Sequence, residues 1–352
     1  MKVLHVYKEF HPDRSGVARH IDGLARHSRS LGIDAAVYAQ KGHARHPELD
    51  ITIGDWRGLI SAVRRADVLH LHGARTPITA FAGLLAQLLG RPFLYTPHCY
   101  YDSVSPLRRM AKRIWDRIIE RRLLIGARAT ILLDEVWLEY LATRHLPVAH
   151  PVIVPNCVLA EDVLARRPAE ASGKLTGSLA LLSIGRLVPV KRLGDIIAAL
   201  ALPGLEGTIF HIIGEGETRR ELEQQAIDLG VGDRVVFHGG CDDLVAARMT
   251  LGADVFVLPS EREGGPTAVI EALMFGCPVI ASDIPGTRAI LAKLATGSLV
   301  PLGDISAWAA ALTALPLPVT EAVHSRLLAL YSWEARAADI VALYQRGKEP
   351  PA

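Results

Sequence analysis

Glu263-Gly264-Gly265-Pro266-Thr267-Ala268-Val269-Ile270-Glu271 runs on through Ala272-Leu273-Met274-Phe275-Gly276-Cys277-Pro278 into Val279-Ile280-Ala281-Ser282-Asp283. The stretch sets two carboxylates eight positions apart, puts a Gly-Gly-Pro turn between them and follows with an apolar run. Turn, helix and buried strand in that order form the repeating unit of a parallel α/β sheet. Pro266 suits the first helical position, where it has no N–H to lose. Gly264 and Gly265 let the backbone approach a ligand at the helix mouth. There the first-turn N–H groups, Thr267 among them, and the positive end of the dipole face an anion such as a diphosphate. Glu263 stays on the loop. Glu271 falls roughly 7–8 Å along the helix axis at 1.5 Å per residue, its side chain leaning back toward the N-terminus. One carboxylate can meet a sugar while the other meets a second polyol beyond the phosphates, as a nucleotide-sugar requires. A lone pair of glutamates at this spacing would read as a solvated surface helix. Here the turn, the phosphate mouth and the closing strand accompany it.

Working outward, 352 residues suffice for two domains, each with its own core. Half the residues are hydrophobic and 22% are charged, the composition of a water-soluble globular chain. Met1-Lys2-Val3-Leu4-His5-Val6-Tyr7 is too short for a signal peptide and reads as a first buried strand. The longest apolar stretch, Ile78 to Leu89, falls short of the ~20 residues that span a bilayer. Cys99, Cys157, Cys241 and Cys277 are scattered without a CxxC pair, which points to a reduced, cytoplasmic protein lacking a cysteine-built metal site. Residues 1–167 carry 24 Lys/Arg against 16 Asp/Glu, and residues 168–352 carry 15 against 21. A basic half followed by an acidic half implies that the first half meets something anionic, nucleic acid or an anionic membrane surface.

Strands and helices alternate along both halves. Strands are expected at Val3–Val6, Ala35–Ala39, Val68–Leu71, Phe93–Tyr95, Thr130–Leu133 and Val152–Val154, with helices at Gly16–Leu31, Ile78–Leu89 and Arg108–Leu124. The pattern lapses over residues 160–177, read as a linker, and restarts. Strands follow at Leu179–Ile184, Thr208–Ile213, Val235–Phe237, Val255–Leu258 and Val279–Ser282, with helices at Leu193–Leu200, Arg219–Leu229, Leu244–Leu251 and from Pro266. This alternation predicts two Rossmann-like, doubly wound parallel-sheet domains, residues 1–166 and 174–330, facing a central cleft. Residues 331–352 hold a final helix, Trp333–Gln345, expected to pack back on the first domain.

Several short motifs join the first stretch. Ser183-Ile184-Gly185-Arg186-Leu187-Val188-Pro189-Val190-Lys191-Arg192 puts Arg186 and Lys191 on the loop leaving a strand, where α/β sheets bind ligands. A planar guanidinium and a flexible ammonium can neutralise a leaving diphosphate from two directions. Ile213-Gly214-Glu215-Gly216 is a strand-end turn facing the same crevice that could hold the base through backbone groups, which makes Glu215 a donor-binding candidate. Gly16 opens a helix after the first strand, without the GxGxxG of a dinucleotide fingerprint. His98, in Thr96-Pro97-His98-Cys99, follows an apolar strand, a position that is structural more often than catalytic. Asn156 sits in a closing turn and reads as a hinge. His70 and His72 point the same way along a strand, but two histidines without a third nearby ligand make a weak case for zinc.

With these motifs assembled, the chain resembles a family 4 glycosyltransferase of the GT-B fold over nearly its whole length. The resemblance implies a retaining, metal-independent enzyme without a cofactor, using a nucleoside-diphosphate sugar as co-substrate; the lack of an Asp-x-Asp site agrees. By match, Glu263 would contact the sugar hydroxyls and Glu271 the ribose. Arg186 and Lys191 would hold the diphosphate, Gly16 would form the N-terminal glycine loop, and His98 would be the sugar-side histidine. Three positions depart from the family pattern: Ser15 replaces a second glycine, Gly265 the aromatic after Glu-Gly, and Cys157 the glycine after Asn156.

The implied reaction moves a hexosyl group to a hydroxyl, with a lipid-linked or cell-surface polysaccharide precursor as the expected acceptor and no nucleic-acid partner. Ser105 to Leu124 alternates cations with Leu, Ile, Met and Trp at helical spacing. It reads either as a basic interfacial helix, with Trp115 at a headgroup boundary, or as an amphipathic helix with its stripe in the core. The first reading places the protein peripherally at the inner face of the cytoplasmic membrane. Two alternatives stand beside the transferase: a sugar-nucleotide epimerase on the same scaffold, and a non-catalytic sugar-binding protein. A nicotinamide-dependent dehydrogenase would need GxGxxG with an acidic residue about twenty positions later.

Overall fold

The structure, a computed structural model, describes residues 1–10, 16–100, 105–167 and 173–346. Ser15 and residues 168–172 of the expected linker lie outside the described residues. The chain divides into two compact units. One comprises Met1–Val158 with Tyr331–Ala352, the other Leu159–Leu330.

The first unit is built from β1 (Lys2–Phe10), α1 (Gly16–Ser30), β2 (Asp34–Gly42), β3 (Asp50–Ile53), α2 (Trp56–Arg65), β4 (Val68–His72), α3 (Pro77–Leu88), β5 (Phe93–Thr96), α4 (Pro106–Trp115), α5 (Arg121–Gly126), β6 (Ala129–Leu132), α6 (Val136–Thr143) and β7 (Pro151–Ile153). Its seven strands pair in the order β3-β2-β1-β4-β5-β6-β7, every pair parallel. Strands covered on both faces need apolar residues on both, which is why β1 and β4 read as continuous buried runs. Leu4, Val6, Leu69, Leu71, Phe93, Tyr95 and Leu123 form the core on one face. The sequence reading left residues 40–67 unassigned, where the structure has the short strand β3 and α2. Asp55 caps α2 by accepting the N–H groups of Arg57 and Gly58 at 3.1 and 2.9 Å.

The second unit runs α7 (Ala160–Ala165), β8 (Leu179–Ile184), α8 (Leu193–Leu200), β9 (Thr208–Ile213), α9 (Arg219–Asp228), β10 (Val235–Gly239), α10 (Asp243–Gly252), β11 (Val255–Leu258), α11 (Thr267–Met274), β12 (Val279–Ser282), α12 (Pro285–Leu294), β13 (Ser298–Val300), α13 (Ile305–Ala314) and α14 (Glu321–Tyr331). Its six parallel strands pair as β10-β9-β8-β11-β12-β13. Within each unit the order is the Rossmann 3-2-1-4-5-6, with one strand added in the first. Leu181, Ile196, Phe210, Val257, Trp308 and Leu312 form its core. The expected linker already contains α7, so the boundary falls at Val158 rather than after residue 166. At six residues, α7 is too short for its periodicity to show. The last helix, α15 (Trp333–Gln345), packs on α1 in the first unit.

Candidate active site

In the second unit the strand order reverses between β8 and β11. An open α/β sheet takes its ligand outside the carboxyl ends of the strands at such a switch point. The loop leaving β8 carries Arg186 and Lys191, and the loop leaving β11 carries Glu263, Gly264 and Gly265 into α11. The Glu261 N–H donates to the Val190 carbonyl at 2.8 Å, tying the two loops together. The N–H groups of Gly185 and Leu187 donate to the carbonyls of Ile213 and Glu215 at 3.0 and 2.9 Å. Gly214, at φ +143°, passes so close that a Cβ there would collide with the Gly185 carbonyl oxygen.

Lys191 Nζ donates to Glu263 Oε1 at 2.7 Å, with the two side chains 21% and 14% exposed. Arg186 is exposed and forms no ion pair among the described residues. Pro266 is the N-cap of α11, with extended ψ of 105°, and the helix begins at Thr267, one residue later than its spacing suggests. Its carbonyl accepts the Val269 N–H at 3.1 Å. The amides of Thr267 and Ala268 open the helix with no intrahelical acceptor. Gly265, at φ +134°, holds a backbone conformation that an aromatic residue would rarely adopt.

Glu271 lies on α11 with its Oε2 3.7 Å from Arg166 Nη1, and Arg166 also stands 3.5 Å from Asp243. Sequence reasoning missed Arg166 because its surroundings read as linker. The Glu215 carboxylate pairs with Arg219 at 2.8 Å instead of joining the Lys191–Glu263 pair, so its share in this site is the backbone carbonyl on Leu187.

Gly16 and His98 belong to the first unit. A Cβ at Gly16 would meet nothing within 4 Å among the described residues. His98, at φ +63°, is buried with Nε2 3.2 Å from Nδ1 of His72. It is part of a cluster that sequence reasoning saw only as His70 and His72. Parallel register sets His5 opposite His70, α1 contributes His20, and all are buried. His5 Nδ1 lies 3.0 Å from His72 Nε2, and His20 Nδ1 lies 2.9 Å from Asn156 Oδ1. The two ring nitrogens of His70 bond to Tyr344 Oη and Thr96 Oγ1 at 2.6 and 2.7 Å. Burial disfavours the imidazolium form, lowering His5 to about 3 and His20 to about 4 and holding His70, His72 and His98 well below the usual range.

The apolar residues of the basic segment divide: Leu123 and Leu124 at its end are buried in the core, whereas those of its first part are not. No residue of α4 is buried, and Leu107, Met110, Ile114 and Ile118 are 70, 54, 53 and 57% exposed. Arg108, Arg109, Arg113 and Arg117 are exposed beside them. Trp115, expected at a headgroup boundary, is instead half-buried. The helix is held from its inner side by polar groups. A π-helical turn over Asp116–Glu120 joins α4 to α5. Arg75 forks onto Asp116 at 2.8 and 2.7 Å, and the hydroxyls of Tyr95 and Tyr100 donate to Glu120 Oε1 at 2.5 and 2.7 Å. Burial raises the Glu120 carboxyl above its ordinary range.

Two Rossmann-type sheets, with two cations and a glycine-opened helix at the second sheet's switch point, are the parts of a GT-B fold. Residues 15–157 match the glycosyl transferase 4-like domain and residues 167–317 match glycosyl transferases group 1. The chain belongs to the family 4 glycosyltransferases. It is 30% identical over 259 residues to 2-deoxystreptamine N-acetyl-D-glucosaminyltransferase of Streptomyces fradiae, spanning 69% of this chain and 61% of that enzyme. It is 25% identical to GDP-mannose:cellobiosyl-diphosphopolyprenol alpha-mannosyltransferase of Xanthomonas campestris, spanning 96% of this chain and 93% of the relative. Anabaena Alr3699/HepE, solved in complex with UDP-glucose, shares the fold with a TM-score of 0.74 at 18% identity, over 98% of each chain.

Proposed function

We propose that this protein is a retaining hexosyltransferase that moves a sugar from a nucleoside diphosphate to a hydroxyl of a lipid-linked or cell-surface polysaccharide precursor. The observation that carries the reading is the convergence of Arg186, the Lys191–Glu263 pair and the mouth of α11 at the β8/β11 switch point. Arg186 and Lys191 take the diphosphate, with the Thr267 and Ala268 amides completing the cradle. Gly264, Gly265 and Pro266 bring the backbone close. Glu263 holds Lys191 in place and reads sugar hydroxyls, and Glu271, steadied by Arg166, reads the ribose. Glu215 braces the β8 loop through its carbonyl. The family resemblance alone assigns Gly16 to a glycine loop and His98 to the sugar side.

The reaction in this reading uses no metal and no covalent nucleophile. As the anomeric C–O bond to phosphate breaks, the negative charge passes to a diphosphate already faced by two cations and a helix N-terminus. The departing phosphate oxygen accepts the acceptor hydroxyl's proton on the same face, which retains configuration. A preorganised donor of this kind is worth about 3–4 kcal/mol. Lys191→Ala is therefore expected to cut kcat on the order of 10²–10³, with the wild-type product keeping the donor's anomeric configuration by NMR and its rate unchanged by EDTA. Near-normal turnover in the variant, or an inverted product, rejects the mechanism.

The exposed stripe of α4 favours a lipid-linked acceptor met at the inner face of the cytoplasmic membrane, the kind of acceptor named for the Xanthomonas relative. Co-sedimentation with vesicles containing anionic phosphatidylglycerol at low salt tests this. Failure to sediment leaves a free acceptor, as the name of the Streptomyces relative gives for that enzyme.

A further inference from the structure

We infer that the first unit carries a transition-metal site formed by His20, His72 and His98, suited to a divalent ion of borderline softness such as Zn2+. One ring nitrogen from each lies within 4.8 Å of the others, and all three side chains are buried. Zinc–nitrogen bonds of about 2.0–2.1 Å in a tetrahedral site place ligand nitrogens roughly 3.3–3.4 Å apart. The 3.2 Å between His72 Nδ1 and His98 Nε2 is already close to that edge.

The proton positions favour ligation. His20 donates Nδ1–H to Asn156 Oδ1 at 2.9 Å, which fixes the tautomer and leaves Nε2 with a bare lone pair. That Nε2 is buried and has no hydrogen-bond partner among the described residues, an arrangement that costs free energy unless something occupies it. A metal-bound imidazole orders itself in the same way, with its far nitrogen donating to a carbonyl. When His72 donates Nε2–H to His5 Nδ1 at 3.0 Å, its Nδ1 carries a lone pair that accepts from His98 Nε2 at 3.2 Å in the metal-free protein, and both nitrogens can ligate once the His98 proton moves to its other ring nitrogen. Burial keeps these rings in the neutral form that ligates. His98 is held at φ +63°, a backbone state that costs a non-glycine residue energy and turns its ring toward the other two. The alternative set of His5, His70 and His72 is less available, because Tyr344 and Thr96 already bond both nitrogens of His70. Three neutral ligands leave a fourth position for water or an anion.

This site goes beyond the transferase reading and involves no metal at the diphosphate. His98 enters both, so activity is not the readout. The metal-stripped full chain is titrated with Zn2+ against a chromogenic chelator, and separately with Co2+ while the visible spectrum is followed. One equivalent of Zn2+ and the intense visible bands of a low-coordinate, nitrogen-ligated Co2+ are expected. Asn156→Ala should weaken Zn2+ binding about 10–100-fold through loss of the outer-shell carbonyl, and His20→Gln should weaken it further. His238→Gln, altering the separate His211–His238 pair of the second unit, should leave it unchanged. A wild-type titration without a stoichiometric site, or equal binding in a folded His20→Gln protein, overturns the inference and leaves a hydrogen-bonded histidine network. The wild-type result decides the matter even where a variant fails to fold.

Discussion

Lys191 and Glu263 pair at 2.7 Å, so in the proposed reading an incoming diphosphate must share the ammonium with a carboxylate already in place. Glu263→Gln removes that competitor. The bare nucleoside diphosphate should then bind about 3–10-fold more tightly, the equivalent of ~1 kcal/mol, while sugar transfer falls because the hydroxyl contact is lost. Calorimetry paired with turnover measurements checks both halves. Gly214→Ala meets the Gly185 carbonyl at a left-handed φ and is expected to destabilise the chain by more than ~1–3 kcal/mol, read as a lowered denaturant midpoint. The places of Arg186, Lys191 and Glu263 at strand ends, and of Glu271 on the helix that follows, were legible in the sequence because parallel strands announce where they end. His20 and Asn156 were not, since their pairing spans 136 positions and depends on how α1 packs. Glu215 was legible as a turn residue, but Arg219, one helical turn further on, takes its carboxylate.

At the scale of the element, the segment from α4 to α5 shows what periodicity leaves undecided. Leu107, Met110, Ile114 and Ile118 announce an apolar face, but not whether protein covers it. Asp116 and Glu120 decide the matter, because Arg75, Tyr95 and Tyr100 bind them from beneath. A helix fastened by its buried acids need not bury its aliphatic side chains. Arg75→Ala would leave Asp116 buried without its partner and is expected to cost about 3–5 kcal/mol of stability, measured by urea unfolding. Ile114→Asp with Ile118→Asp removes apolar side chains that are 53 and 57% exposed. Stability should move by no more than about 0.5 kcal/mol per site, and vesicle binding should be lost.

Across the whole molecule, strand-helix alternation was enough to read two Rossmann-type units. The strand orders and the division at Val158 came only from the structure. The buried histidines give the first unit a pH signature of definite sign. Their folded-state values lie below the ordinary 6.5, so their contribution is complete above about pH 6.5 and is lost as the pH falls toward about 4 for His20 and 3 for His5. Each adds up to about 1.4 kcal/mol per pH unit in that interval. Chemical denaturation at pH 7 and pH 5 should therefore show a marked loss of stability at the lower pH, and His5→Gln should reduce the difference. One consequence concerns the order of synthesis. Trp333 is fully buried in the first unit and Tyr344 bonds His70 there, yet the entire second unit is translated before either residue leaves the ribosome. The first unit must wait, with His70 and the outer side of α1 uncovered, for a segment translated after the whole of the second unit, and a nascent chain arrested after Leu330 should engage chaperones where the full chain does not.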